Sequence, residues 1–198
     1  MFPQMVRSLK LLAWLVCVAY STIPSFWILI HSRVEFWRAW KRSPYWVLLP
    51  AWALMATMVA AVTAPWRYRG LYWTPWSWAP AILLFSIGLR LYAEAGKMFS
   101  AKQLGGFPEV LSGHSQQRLV TSGIRARIRH PIYLAHLCEM LGWSVAAGLA
   151  VCYGLTGFAV ITGWIMISME DRELEGRFGA EYVAYRERVP ALWPKLTK

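Results

Sequence analysis

The chain has 198 residues, 57% of them hydrophobic and only 16% charged, and its mean hydropathy is +0.36. Roughly a quarter of a water-soluble domain is charged, so this balance excludes an ordinary soluble globule. A net charge of +11 invites a nucleic-acid reading. The basic residues sit between long apolar runs, however, which suits anionic headgroups and membrane topology rather than a groove that tracks phosphates.

Arg7 and Lys10 precede an apolar run from Leu9 to Ile30. That run is longer than the apolar core of a signal peptide, about 7–15 residues, and is expected to be a retained first span with a kink at Pro24. Residues 31–44 form a basic loop containing Arg33, Arg38, Lys41 and Arg42 against Glu35. A second span is predicted over 45–64. An interfacial aromatic cluster follows, with Trp66, Tyr68, Tyr72, Trp73, Trp76 and Trp78 around Arg67 and Arg69. The third span is predicted over 79–95, with Arg90 and Glu94 one helical turn apart and able to pair. Residues 96–129 are too polar to cross, and Gly105, Gly106, Pro108, Gly113 and Gly123 mark a loop. From Pro131 to about Met169 the chain is apolar for nearly forty residues, enough for two crossings joined near Gly148, Gly154 and Gly157. At Glu170 the character changes to alternating charge, which predicts an amphipathic tail helix closed by Pro190 and Pro194. Cys17, Cys138 and Cys152 have neither metal nor disulfide spacing and read as small core residues.

The expected fold is an all-α polytopic membrane protein of about five transmembrane helices with a C-terminal hairpin and a cytoplasmic tail helix. Residues 1–95 would supply three spans, and 96–198 the loop, hairpin and tail. Sixteen of the 21 Lys and Arg fall in 33–42, 97–129 and 172–198, against four at Arg7, Lys10, Arg67 and Arg69. The positive-inside rule therefore predicts the N-terminus outside and the C-terminus in the cytoplasm. The hairpin would then bring residues around 129–133 beside those around 169–175.

Three features there carry chemistry. Arg129-His130-Pro131-Ile132-Tyr133 opens the fourth span, with proline at a helix start and a positive dipole end that suits an anion. The same residues also read as an interfacial anchor. Glu170-Asp171 could hold hydroxyls, an ammonium or a sulfonium, or could be a solvated helix start. Arg90, Glu94, His136 and Glu139 lie in or near spans, where ionisable groups face the bundle interior as a structural network or a catalytic one. No G-x-G-x-x-G, phosphate loop, G-x-S-x-G, H-E-x-x-H or metal cluster is present.

In order and spacing, RLVTSGIRARIRHPIYLAHLCEMLGW followed by MEDRELEGRFGAEYVAYRERVPALWP resembles the isoprenylcysteine carboxyl methyltransferase and phospholipid methyltransferase superfamily of integral membrane enzymes. The resemblance covers about 77 residues, Arg118 to Pro194. It implies an S-adenosylmethionine pocket at the cytoplasmic end of the hairpin, with Arg129, His130, Pro131, Tyr133, Glu170 and Asp171 binding the cofactor. Asp171 stands where the family has a second Glu, and Arg125 where it has a Tyr. The implied activity is methyl transfer to a lipophilic acceptor, with O-methylation of a carboxylate first and N-methylation of an amine lipid as the alternative. A carboxylate acceptor is ionised at neutral pH and needs no base. Arg129, Arg172 or Arg186 could orient it, and Glu139 is a further catalytic candidate. A non-catalytic membrane scaffold or transporter and an NADPH-dependent membrane reductase are the readings from other classes. The expected partners are a lipophilic substrate and membrane lipids, not nucleic acid.

Overall fold

A computed structural model describes residues 2–40, 43–97 and 118–193. Lys41, Arg42, the Gly105-Gly106 turn with Pro108 and Gly113, and Pro194 lie outside the described residues. Among the described residues seven α-helices follow in order: α1 (Phe2–His31), α2 (Val34–Ala39), α3 (Tyr45–Thr63), α4 (Trp78–Gly96), α5 (Pro131–Ala147), α6 (Ala150–Phe178) and α7 (Ala180–Arg188). Short 3-10 turns sit at Ala64–Trp66, Pro75–Ser77 and Gly123–Ala126. No strand occurs among the described residues, so the all-α polytopic expectation holds.

Among the described residues four helical stretches are long and apolar enough to cross a membrane: Pro3–His31, Tyr45–Trp66, Pro75–Gly96 and Ala150–Phe178. Helix α5 has 17 residues, about 25 Å at 1.5 Å per residue, and is buried among the others. It returns the chain between α4 and α6, so the five predicted crossings appear as four long helices and one short internal one. Their outward faces are apolar. Trp46 is 81% exposed and Trp164 69%, with Leu54, Met58 and Val62 also open along α3. Apolar surface on this scale fits hydrocarbon rather than water.

Packing is organised around α1 and α5. Helix α4 lies along α5, α1 lies along α6 and touches α5, and α3 leans on α1. The centre is made of small side chains: Ala13 and Cys17 of α1 meet Met140 and Ala147 of α5 and Cys152 and Ala159 of α6. Small residues let helix backbones approach closely, which is how helices associate where lipid is as apolar as the core. All three cysteines are buried and unbonded, as read from their positions. Between α5 and α6, Ser144 Oγ and Thr156 Oγ1 share a hydrogen bond of 3.1 Å.

The boundaries teach two corrections. Of the three glycines expected to turn the hairpin, only Gly148 does so, in a left-handed conformation at φ 59°. Gly154 and Gly157 lie within α6. Nor does a helix end where charge begins at Glu170. Helix α6 continues unbroken to Phe178, 29 residues or about 44 Å, so its last turns project beyond a ~30 Å hydrocarbon core. The break falls at Gly179 (φ 57°) instead, because helical hydrogen bonding is indifferent to a change from apolar to charged side chains. Two smaller differences follow. The first basic loop contains the short helix α2. Glu94 pairs with Lys97 at 2.6 Å rather than with Arg90, which points outward.

Candidate functional site

The site forms where α5 begins, on the side of the bundle away from Gly148. Pro131 is the first residue of α5 and is fully buried, a position where its missing N–H costs nothing. The chain just before it is clamped from outside by the tail. Arg129 N donates to Pro190 O at 2.9 Å and His130 N to Ala191 O at 3.0 Å. The tail itself is anchored by Tyr185, whose hydroxyl donates to Arg125 O at 2.7 Å.

These backbone ties hold Arg129 and His130 against two adjacent acids near the end of α6. The Arg129 guanidinium donates to Asp171 Oδ1 at 2.6 Å, to Val189 O at 2.9 Å and to Tyr182 Oη at 3.2 Å. His130 Nε2 lies 3.2 Å from the same Asp171 oxygen, and Nδ1 lies 3.3 Å from Glu170 Oε2. Tyr182 Oη donates a short hydrogen bond to Asp171 Oδ1 as well. One carboxylate oxygen thus receives three donors, from α5's entry and from α7. Arg129 is 8% exposed and His130 4%, so water takes little part.

The electrostatics follow from this arrangement. Burial opposes an imidazolium at His130, but the Glu170 and Asp171 carboxylates outweigh it and raise the His130 pKa above its usual value. Both ring nitrogens then carry a proton, Nε2 donating to Asp171 while Nδ1 stands beside Glu170 as an ion pair without an aligned hydrogen bond. Burial, reinforced by Asp171, pushes the Tyr182 phenol well above its ordinary range and keeps it a donor. The positive end of α5's dipole faces the same acids and favours them ionised. Because the folded His130 pKa is raised, its stabilising contribution is complete below about 6.5, the unfolded value, and is lost as pH rises through the folded value. The melting temperature of wild type should therefore exceed that of His130→Gln most at pH 6, with the gap narrowing toward pH 9. A gap that widens with pH would contradict this.

Four of the predicted cofactor residues, Arg129, His130, Glu170 and Asp171, meet directly. Tyr133 stacks on His130, with ring centroids 5.6 Å apart and planes 27° from parallel. The acids lie within a helix with side chains only 15% and 13% exposed, so the solvated-helix-start reading does not hold. The other candidates stand elsewhere. Arg186 pairs with Glu175 at 2.7 Å on the tail. Arg172 lines a cleft of about 540 Å³ between α6, α2 and the end of α1, together with His31, Arg38 and Glu173. Glu139 lies two turns or more into α5, its Oε1 buried against α4 at Gly88 and without a hydrogen-bond partner among the described residues. Near it the His136 ring meets Tyr20 of α1 at 5.0 Å and Tyr92 of α4 at 5.6 Å. No group of acidic, histidine or cysteine side chains among the described residues could hold a metal ion.

Tyr182 and His31 were not assigned from sequence. Tyr182 belongs to the quoted tail pattern and could have been flagged as a buried aromatic on a charged helix. His31 carried no signal beyond its place at the end of a span.

No protein-family model matches the chain, and no solved structure matches it. Two curated relatives do. The chain is 32% identical over 130 residues to the cobalt-zinc-cadmium resistance protein CzcN of Cupriavidus metallidurans, a stretch that is 61% of this chain and 53% of that one. It is 26% identical over 176 residues to methanethiol S-methyltransferase 2 of Bradyrhizobium diazoefficiens, covering 87% of this chain and 60% of that one. The chain thus spans little more than half the length of the curated relatives it matches, and the second alignment is long enough that it must include Arg129 to Tyr133.

Proposed function

We propose that this chain is an integral membrane methyltransferase that uses S-adenosylmethionine and methylates a lipophilic acceptor, a thiol first. The observation that carries the reading is the buried Arg129–His130–Glu170–Asp171 cluster, in a chain alignable over most of its length with a methanethiol S-methyltransferase.

The residues present fit the cofactor. Glu170 Oε2 is buried and, though 3.3 Å from His130, has no aligned hydrogen-bond donor, so an acceptor of a hydroxyl or ammonium proton remains. When bound, the cofactor supplies an electrophilic sulfonium methyl group. His130, Tyr133 and Glu170 would contact it. Arg129 and Asp171, saturated by each other and by Tyr182, act as the frame that orients them, and Pro131 sets the start of α5. Such a reaction mainly needs two reactants held at near-attack distance in a dry site.

The acceptor argument turns on charge. Orienting a carboxylate needs a guanidinium with bonding capacity. Arg129 and Arg186 already bind acids, which leaves Arg172 of the three expected arginines. A thiol needs no cation, but must lose its proton. We assign acceptance of that proton to Glu139, whose buried Oε1 lies between α5 and α4 and has no hydrogen-bond partner among the described residues. The excess of Lys and Arg on the loops flanking the cluster supports a cytoplasmic site, an outside N-terminus and contact with anionic lipids.

S-Adenosylhomocysteine should raise the melting temperature of the detergent-solubilised protein, and NADPH should not. Labelled-methyl transfer should be fastest to alkyl thiols, compared with prenylcysteine analogues, fatty acids and phosphatidylethanolamine. No thermal shift with millimolar S-adenosylhomocysteine would overturn the reading. Faster transfer to carboxylates would restore the O-methylation expectation.

A further inference from the structure

The cleft of about 540 Å³ that adjoins the ionic cluster falls within the ~300–1,000 Å³ of small-molecule sites. Its walls come from the end of α1 (His31, Ser32), from α2 (Glu35, Arg38) and from α6 (Arg172, Glu173, Arg177). Both signs of charge are present. Glu173 is held in place by Arg38 at 3.3 Å and Arg177 at 2.8 Å, and its side chain is only 8% exposed.

Two groups in the cleft point to a ligand. His31 is 9% exposed, and its Nδ1 is buried with no hydrogen-bond partner among the described residues. Its ring is fixed by a stack on Trp27, with centroids 5.7 Å apart. A buried polar atom left in this way is destabilising unless something binds it. Arg172 is exposed on the α6 wall and takes part in no ion pair among the described residues. Glu170 joins the cleft to the cluster, since it interacts electrostatically with both His130 and His31.

We propose that this cleft receives the amino-acid end of the methyl-donor cofactor, a zwitterion. Its carboxylate is bound by Arg172 and His31, and its ammonium by Glu35. Glu35 Oε1 pairs with Arg38 at 2.9 Å, its other oxygen is in no ion pair among the described residues, and Glu173 holds Arg38 in place beside it. The assignment rests on the cofactor reading given above. A simple anion would meet the two carboxylates as well as the arginines, whereas a zwitterion uses both. The nucleoside end then extends from the cleft toward Glu170 and His130. The consequence is that the first span takes part in cofactor recognition, although none of its residues belongs to the motif pattern of the C-terminal half.

Isothermal titration of the full chain with two ligands tests this. S-Adenosylhomocysteine carries the amino-acid end, and 5′-methylthioadenosine lacks it but keeps the nucleoside thioether. Arg172→Gln, at an exposed position, and His31→Phe, which retains an aromatic ring on Trp27, should each weaken S-adenosylhomocysteine at least tenfold. Both should leave methylthioadenosine within twofold of wild type. Unchanged binding of S-adenosylhomocysteine, or equal loss of both ligands, would overturn the cleft assignment while the cofactor reading stands. Failure of wild type to bind S-adenosylhomocysteine would overturn both.

Discussion

Asp171→Asn is expected to destabilise the protein by about 3–5 kcal/mol and to cut the proposed methyl transfer by about a hundredfold or more. The stability loss arises because Arg129 remains buried after its counter-charge is gone and His130 keeps only Glu170, and an uncompensated charge in such surroundings is costly. The rate loss follows from geometry. Asp171 Oδ1 is the single atom on which Arg129, His130 and Tyr182 converge, so its charge sets the positions of the entry to α5 and of the tail. Displacements of about 1 Å in a site of this type can cost a hundredfold. Asp171→Glu keeps the charge and restores the side chain usual in the resembling family, so it should retain far more activity than Asn. Melting curves and single-turnover methyl transfer measure the two effects separately. Equal activity of the Asn and Glu variants would show that the charge is not what matters.

Gly148→Ala should be as damaging to stability, about 3 kcal/mol or more, while leaving the affinity of the folded protein for S-adenosylhomocysteine within twofold of wild type. Two causes add. The residue sits at φ 59°, where an L side chain costs about 1–2 kcal/mol. The new Cβ would also meet the backbone carbonyl of Tyr72 and lie 2.8 Å from its Cδ2. That segment cannot simply withdraw. Leu71 N donates to Gly148 O at 2.7 Å, and Tyr72 Oη bonds both Val145 O at 3.1 Å and Tyr153 Oη at 2.6 Å. The turn and the ionic cluster lie at opposite ends of α5, about 25 Å apart, which is why binding by the folded fraction should be spared. A melting temperature equal to wild type would refute the packing argument. A large loss of affinity at full folding would show that the two ends are coupled.

Set beside each other, these variants show where sequence reading succeeded. The membrane class and the helical architecture followed from hydropathy run lengths alone, because a crossing helix must be about 20 apolar residues long whatever it packs against. The pairing of Arg129–His130 with Glu170–Asp171 followed from one further constraint, that a hairpin returns the chain to the side it left. Other features were not legible because they depend on neighbours distant in sequence. The contacts that hold the last turns of α6, from Glu170 to Phe178, come from the tail and from α2. The crowding of Tyr182, Arg129 and His130 onto one Asp171 oxygen is a product of how α7 folds back at Gly179. The cleft, with His31 in its wall, exists only because α1 lies along α6, and helix-on-helix contact leaves no periodic trace in a uniformly apolar span. The sequence by itself thus determined the membrane fold and which two motifs meet. Only the tertiary structure decided which side chains are saturated by one another and which still have an atom left for a ligand, because hydrogen-bond satisfaction is a property of three-dimensional neighbours.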